Sequence, residues 1–266
     1  MESYSLPPKQ PKSGFKKIKS SIIFLAIAAV YIWTFLGIDI DWERAVDRAI
    51  SNFGIIIPRL FNPDWASVGE VTMKIIETVL IAFAGSFMAA ILAIPLGFLA
   101  AKNMSRSNLL SAIGKWILSA IRAFPDIILA ILFVVAVGPN AFAGVLAIAI
   151  GSTGMLGKLY SEVVESIDMR VVEAMEANGA NKVQMLFYGV IPQIIPEFLS
   201  YAIYRFEIDV RASSILGIVG AGGIGTMILF AAINRDWSVM GLILLAIIIV
   251  VTIIDFISAR IRRKIV

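Results

Sequence analysis

Neither cysteine nor histidine occurs among the 266 residues. Without cysteine there is no disulfide framework and no thiolate metal site. Without histidine there is no imidazole base, no histidine-dependent triad and no histidine-containing zinc motif, which excludes much of conventional hydrolytic chemistry. Charge is also scarce, at 16% of residues, while 59% are hydrophobic. An ordinary soluble domain is nearer about 45–50% apolar, so the composition is that of a polytopic membrane protein. The net charge of +4 sits largely at the two ends and bears on membrane orientation, not on nucleic acid.

Residues 1–20 form a basic tail carrying Lys9, Lys12, Lys16, Lys17 and Lys19 ahead of the apolar run Ser21 to Ile38. Lysines before a first span place the N-terminus in the cytoplasm. The run is long for a signal-peptide core and no small-x-small cleavage site follows, so it reads as a retained first transmembrane helix. The region to residue 70 then carries Trp42, Ala45, Val46, Ala49, Ile50, Phe53 and Ile57 at helical steps of three and four. Asp41, Glu43, Asp47 and Arg48 fall opposite, which predicts an amphipathic helix along the outer membrane surface.

Residues 71–266 contain five further spans. The second runs from about Val71 to Ala101, with Lys74 and Glu77 spaced to pair and Lys102 and Arg106 at its cytoplasmic end. The third, about Trp116 to Gly138, is entered through Arg122-Ala123-Phe124-Pro125-Asp126. The i,i+4 spacing of Arg122 and Asp126 across a proline predicts a self-neutralised kink near the cytoplasmic interface. Gly138-Pro139-Asn140 predicts a tight outer turn. The fourth, about Phe142 to Tyr160, carries a stripe of Gly144, Ala147, Gly151 and Gly154 suited to close helix packing in lipid. Its Gly154-Met155-Leu156-Gly157-Lys158 fails as a phosphate loop, because Ser152 and Leu159 occupy positions that need glycine and Ser/Thr. No nucleotide site follows from it.

The most informative interruption is the short polar stretch Glu173-Ala174-Met175-Glu176-Ala177-Asn178-Gly179. Good helix formers run up to a glycine stop, which predicts a helix of about two turns lying in water. The fifth span, roughly Val183 to Tyr204 with Pro192 and Pro196 bending it, ends in Arg205, Glu207, Asp209 and Arg211. A charge at the bilayer centre costs about 2.5–3.5 kcal/mol on insertion scales, so these four face protein or water. If the helix continues, Arg205 meets Asp209 and Glu207 meets Arg211 on opposite sides. Two readings remain: the four satisfy one another, or Arg205 or Arg211 offers a guanidinium fork to a passing anion.

Ser213 and Ser214 lead into Gly217-Ile218-Val219-Gly220-Ala221-Gly222-Gly223-Ile224-Gly225. Gly220, Gly222 and Gly225 match a dinucleotide fingerprint literally, but no strand precedes them and no acid lies about 20 residues on. Irregular backbone lining a water-accessible cavity fits better. The last span, about Ser238 to Ser258, ends in Arg260, Arg262, Arg263 and Lys264. Six spans put both termini and the Glu173 loop in the cytoplasm.

Glu173, Ala174, Gly179 and Pro192 stand at the spacing of the cytoplasmic signature of ABC importer permeases, which these residues resemble. Met175 replaces the usual alanine, Gly189 the usual isoleucine and Ile191 the usual leucine. Tyr201 to Gly217, running into Gly220 to Gly225, together with Leu156 to Tyr160, resembles the membrane subunit of phosphonate ABC importers. The likeness is specific over about Phe142 to Ile228 and weak over the first 70 residues.

That resemblance implies an all-α type I permease core of five helices plus one N-terminal helix, in a bacterial inner membrane. It also implies separate cytoplasmic ATPase subunits that bind ATP and magnesium, and an extracytoplasmic phosphonate-binding protein. Glu173, Ala174, Glu176, Ala177 and Gly179, within a loop over 165–182, become the ATPase-docking residues. Arg205, Glu207, Asp209, Arg211, Ser213, Ser214, Gly220, Gly222, Gly223 and Gly225 become the pathway and gate. The chain itself then holds no cofactor, metal or catalytic residue. One loop and no internal repeat make a homodimer the simplest arrangement for two ATPase subunits. The rivals are a permease for another small solute, an ion-coupled secondary transporter of a small anion, and an intramembrane enzyme using Ser213 or Ser214.

Overall fold

The computed structural model describes residues 14–37, 41–105 and 107–265. Lys9, Lys12, Ile38 and Arg106, named above, lie outside the described residues. The chain divides into two units, Met1–Ile55 and Ile56–Val266. In the first, α1 (Gly14–Gly37) is an apolar helix long enough to cross a bilayer, with none of that window buried. The amphipathic spacing that follows forms α2 (Trp42–Leu60), and Phe35 stacks on Trp42 at 5.9 Å between centroids.

The second unit holds the packed helices. Asp64 caps a short 3-10 turn, Trp65–Ser67, accepting from the Ala66 amide at 3.1 Å, and this turn feeds α3 (Val68–Ala100). Ser107 caps α4 (Asn108–Ala123). A proline lacks an amide donor and disfavours helix at the residue before it. At Phe124-Pro125 the chain accordingly turns by 81° into α5 (Asp126–Val137). The Gly138-Pro139-Asn140 turn forms as expected, with Gly138 at φ +86° and Asn140 capping α6 (Ala141–Ser166).

The α6 helix is the centre of the bundle, with 61% of its apolar window buried against 22% for α11. Glycine makes this possible, since a β-carbon on Gly154 would meet Ile121 and Arg122 of α4 at 2.9 Å and one on Gly144 would meet the Ala221 carbonyl at 2.6 Å. The stripe read from the sequence is therefore the packing face. Gly154 to Lys158 lies wholly inside this helix, leaving no loop to cradle a phosphate.

A short helix α7 (Met169–Ala177) follows, then one turn, α8 (Lys182–Gln184), and a π-helical segment, Met185–Val190. Pro192 stands at the start of α9 (Ile191–Leu216) instead of bending it, because a first-turn proline has no intrahelical bond to lose. The α9 helix does not stop at Tyr204 but carries the four charged residues through its middle. A 3-10 turn, Gly217–Val219, and a glycine-rich bend lead to α10 (Ile224–Ile233) and the last span, α11 (Trp237–Ile265). Within the second unit, the Leu60 carbonyl occupies the space a β-carbon on Gly241 of α11 would need.

Candidate functional site

The polar elbow is a separate, exposed helix. Asp168 caps α7 through the Arg170 amide at 3.0 Å and pairs with the Arg170 guanidinium at 2.7 Å. The guanidinium hydrogen bonds hold the Asp168 carboxyl below its ordinary range and raise Arg170. At the other end Gly179 takes φ +82°, its amide donating to Glu176 at 2.9 Å while Ala180 donates to Met175 at 3.0 Å. Asn181 and Gln184 then form a reciprocal capping box that starts α8. Each break around α7 thus has its own side-chain or glycine cause.

Glu173, Ala174, Glu176, Ala177 and Gly179 are all exposed, and Val172 and Met175 turn inward. They press on the π-helical segment at Gly189, where an added β-carbon would lie 3.1 Å from the Met175 sulfur and 3.5 Å from Val172. Gln193 completes the brace from α9: it accepts from the Asp168 amide at 2.9 Å and donates to the Gly189 carbonyl at 2.6 Å. Packed side chains and the Gln193 hydrogen bonds thus connect α7 to the π-helical segment and to α9.

In α9 the two expected i,i+4 pairs form, on opposite sides, and each recruits a neighbouring helix. Arg205 bonds Asp209 at 2.9 Å, with side chains 9% and 1% exposed. Ser152 of α6 donates to Asp209 at 2.8 Å and accepts from Arg205 at 2.9 Å. The second pair, Glu207 and Arg211 at 3.4 Å, is extended by α11: Arg262 binds Glu207 at 3.0 Å and Asp255 binds Arg211. Arg262 also lies 5.4 Å from the Tyr204 ring centroid.

The kink pair does not form. Asp126 instead reaches Arg205 at 3.5 Å, because the 81° turn sends α5 away from the axis of α4 and defeats the i,i+4 geometry that a continuous helix would supply. Among the described residues Arg122 then has no ion pair, and it is exposed.

The glycine-rich bend is irregular as expected, with Gly220, Gly222 and Gly223 at φ +92°, +82° and +73°. It is fastened to α3. The Gly223 amide donates to Glu77 at 3.0 Å, the Ile224 amide to the Thr78 hydroxyl at 2.7 Å, and the Ser213 hydroxyl to the Thr78 carbonyl at 3.2 Å. Lys74 holds Glu77 at 2.8 Å, the pair read from spacing. Ser214 only back-bonds within its own helix, to Val210 at 3.4 Å. Gly217 and Gly225 meet backbone to backbone, where a β-carbon on Gly217 would sit 2.7 Å from the other's Cα. The anchoring role of Glu77 and Thr78 was not legible, although a carboxylate inside an apolar run was its signal.

A second feature missed by sequence reasoning is a cavity of about 220 Å³ between α4 and α6. Lys115, Ser119 and Arg122 line it from one helix, and Lys158, Ser161, Glu162 and Glu165 from the other. Lys115 pairs with Glu165 at 2.8 Å and Lys158 with Glu162 at 3.6 Å.

Comparison with known proteins bears on the family and the fold. The family model for the binding-protein-dependent transport system inner membrane component matches residues 93–266. The phosphite transport system permease protein PtxC of Stutzerimonas stutzeri is 37% identical over 201 residues, 76% of this chain and 73% of that protein. The putative phosphite transport system permease protein HtxC of the same organism is 31% identical over 243 residues, 91% of this chain and 85% of its own. The putative cryptic phosphonate transport system permease protein PhnE2 of Escherichia coli K12 is 43% identical over 118 residues, 44% of this chain and 97% of that protein. Among solved structures, an inward-facing MetNI methionine ABC transporter chain aligns over 76% of this chain and 99% of its own, at TM-score 0.67 and 22% identity. That likeness is one of fold.

Proposed function

This chain belongs to the binding-protein-dependent transport system inner membrane component family, and on that premise we propose that it is the pathway-forming subunit of an ATP-driven importer for phosphite, phosphonate or a closely related small phosphorus oxyanion. It is a multi-pass membrane permease with the type I core fold and an additional N-terminal helix. The solute class rests on the relatives, whose names give phosphite or phosphonate.

The observation that carries the coupling is α7, a capped helix exposed on one face and braced on the other by Gly189 and Gln193. Its exposed face, Glu173, Ala174, Glu176, Ala177 and Gly179, docks a separate ATPase subunit that holds ATP and magnesium. Closure of the ATPase pair moves α7, and the π-helical segment passes the movement to α9. Two copies of this chain serve two ATPase subunits, and both termini lie on the α7 side, the cytoplasm.

Along the pathway, Arg205 and Asp209 hold α9 to α5 and α6, and Glu207 and Arg211 hold it to α11. Ser213, Ser214, Gly220, Gly222, Gly223 and Gly225 form the gate at the far end. A bistable element needs a fastening that can be released, and the bonds to Glu77 and Thr78 supply one. A binding protein delivers the solute on that side.

The test reconstitutes the permease with its ATPase and binding protein and measures ATP hydrolysis with and without solute-loaded binding protein. Glu173→Ala and Gly179→Ala are expected to abolish most of the stimulation. An alanine at Gly179 must adopt a left-handed backbone that it disfavours by roughly 1 kcal/mol or more, which frays the end of α7. Unchanged stimulation in both variants would remove the docking assignment.

A further inference from the structure

We propose that the cavity between α4 and α6 is a binding site for a tetrahedral phosphorus oxyanion, built around Arg122, Lys158 and Lys115. This rests on the transport reading above and adds a place where the solute is held inside the permease. At about 220 Å³ it has room for several waters of about 30 Å³ each, and hence for a small oxyanion with part of its water shell. Three cations face two carboxylates there, so the cavity is net positive.

The cations are not equally occupied. Lys115 is held by Glu165, which also accepts the Lys102 amide at 2.9 Å. Lys158 and Glu162 are 3.6 Å apart, both more than half exposed, so that pair is loose. Arg122 is exposed and has no ion pair among the described residues. A planar fork with unengaged donors matches the oxygens of a phosphorus anion bidentately. Ser119 and Ser161 also line the cavity, but their hydroxyls donate to the Lys115 and Lys158 carbonyls at 2.7 and 2.8 Å, so the donors left for an anion are those of the cations.

Lys158 lies eight residues inside the end of α6, about 12 Å at 1.5 Å per residue. Glu162 and Glu165 lie four residues and one residue from that end, so among the α6 groups lining the cavity Lys158 is the deepest, and an ionised group facing lipid costs about 2.5–3.5 kcal/mol near the bilayer centre. Lys158 therefore faces water or protein and not lipid. By contrast the guanidiniums of Arg205 and Arg211 are taken up by carboxylates on both sides.

Phosphorus oxyanions also occur on anionic lipid headgroups, and the experiment separates the two sources. Phosphite is titrated into the purified full chain in phosphatidylcholine nanodiscs, and phosphatidylglycerol retention on the purified chain is read by native mass spectrometry. Wild type, Arg122→Gln, Lys158→Gln and Arg122→Lys are compared. Saturable phosphite binding that weakens about tenfold or more in the two Gln variants, as loss of a charge-assisted bond predicts, and less in Arg122→Lys assigns the site to the free anion. Absence of phosphite binding with phosphatidylglycerol retained by wild type and lost in Arg122→Gln assigns it to a headgroup. Binding of both ligands unaffected by the Gln variants, or absent throughout, overturns the proposal. A chain that gives this last result yet transports phosphite with its partners leaves the transport reading intact.

Discussion

Met175 and Gly189 depart from the usual signature of permease loops, and the structure places the two departures against each other. The larger side chain on α7 fills the space that glycine leaves on the π-helical segment, 3.1 Å from where a β-carbon would begin. Restoring isoleucine alone, Gly189→Ile, overfills that contact, and overpacking typically costs about 1–3 kcal/mol. The expected result is a lower melting temperature and weaker stimulated ATP hydrolysis, with Met175→Ala added in the same chain recovering much of both. Equal losses in the single and double variants would show that the residues do not compensate. A similar cycle applies to Arg205 and Asp209. Removing one partner of a buried pair costs about 3–5 kcal/mol, whereas removing both with apolar replacements costs far less. Arg205→Met and Asp209→Leu are each expected to destabilise the purified chain more than the double variant does, and additive losses would contradict this.

At the scale of elements, the sequence was informative where a single helix carries its own signal. The α7 helix, its glycine stop, the small-residue stripe of α6 and the i,i+4 pairs of α9 depend on residues a few positions apart, and all are present. What was not legible depends on where helices turn. The third span begins eight residues before Trp116 and breaks at Pro125, and the direction of that break decides that Asp126 meets Arg205 and not Arg122. A proline announces a break but not its angle. The fastening of Gly223 and Ile224 to Glu77 and Thr78 spans 146 residues, a distance over which spacing carries no information. The cavity on α4 and α6 was hidden for the same reason, since its residues form two ordinary helical faces until the helices are placed side by side.

For the whole molecule, the features fall in one mechanical order. An exposed helix rests on a π-helical segment, that segment leads into a long helix held by charges on both flanks, and the long helix ends in a glycine-rich bend tied to α3. Gly154 to Lys158 lies inside α6 and forms no phosphate loop, and in the proposed mechanism the work comes from a separate ATPase acting on α7. The most direct measurement is solute uptake into vesicles holding the permease and its ATPase, supplied with loaded binding protein, with ATP present or withheld and with the ATPase present or omitted. Uptake of phosphite only when ATP and ATPase are both present is the predicted result. Uptake at the same rate by vesicles that lack the ATPase would contradict it.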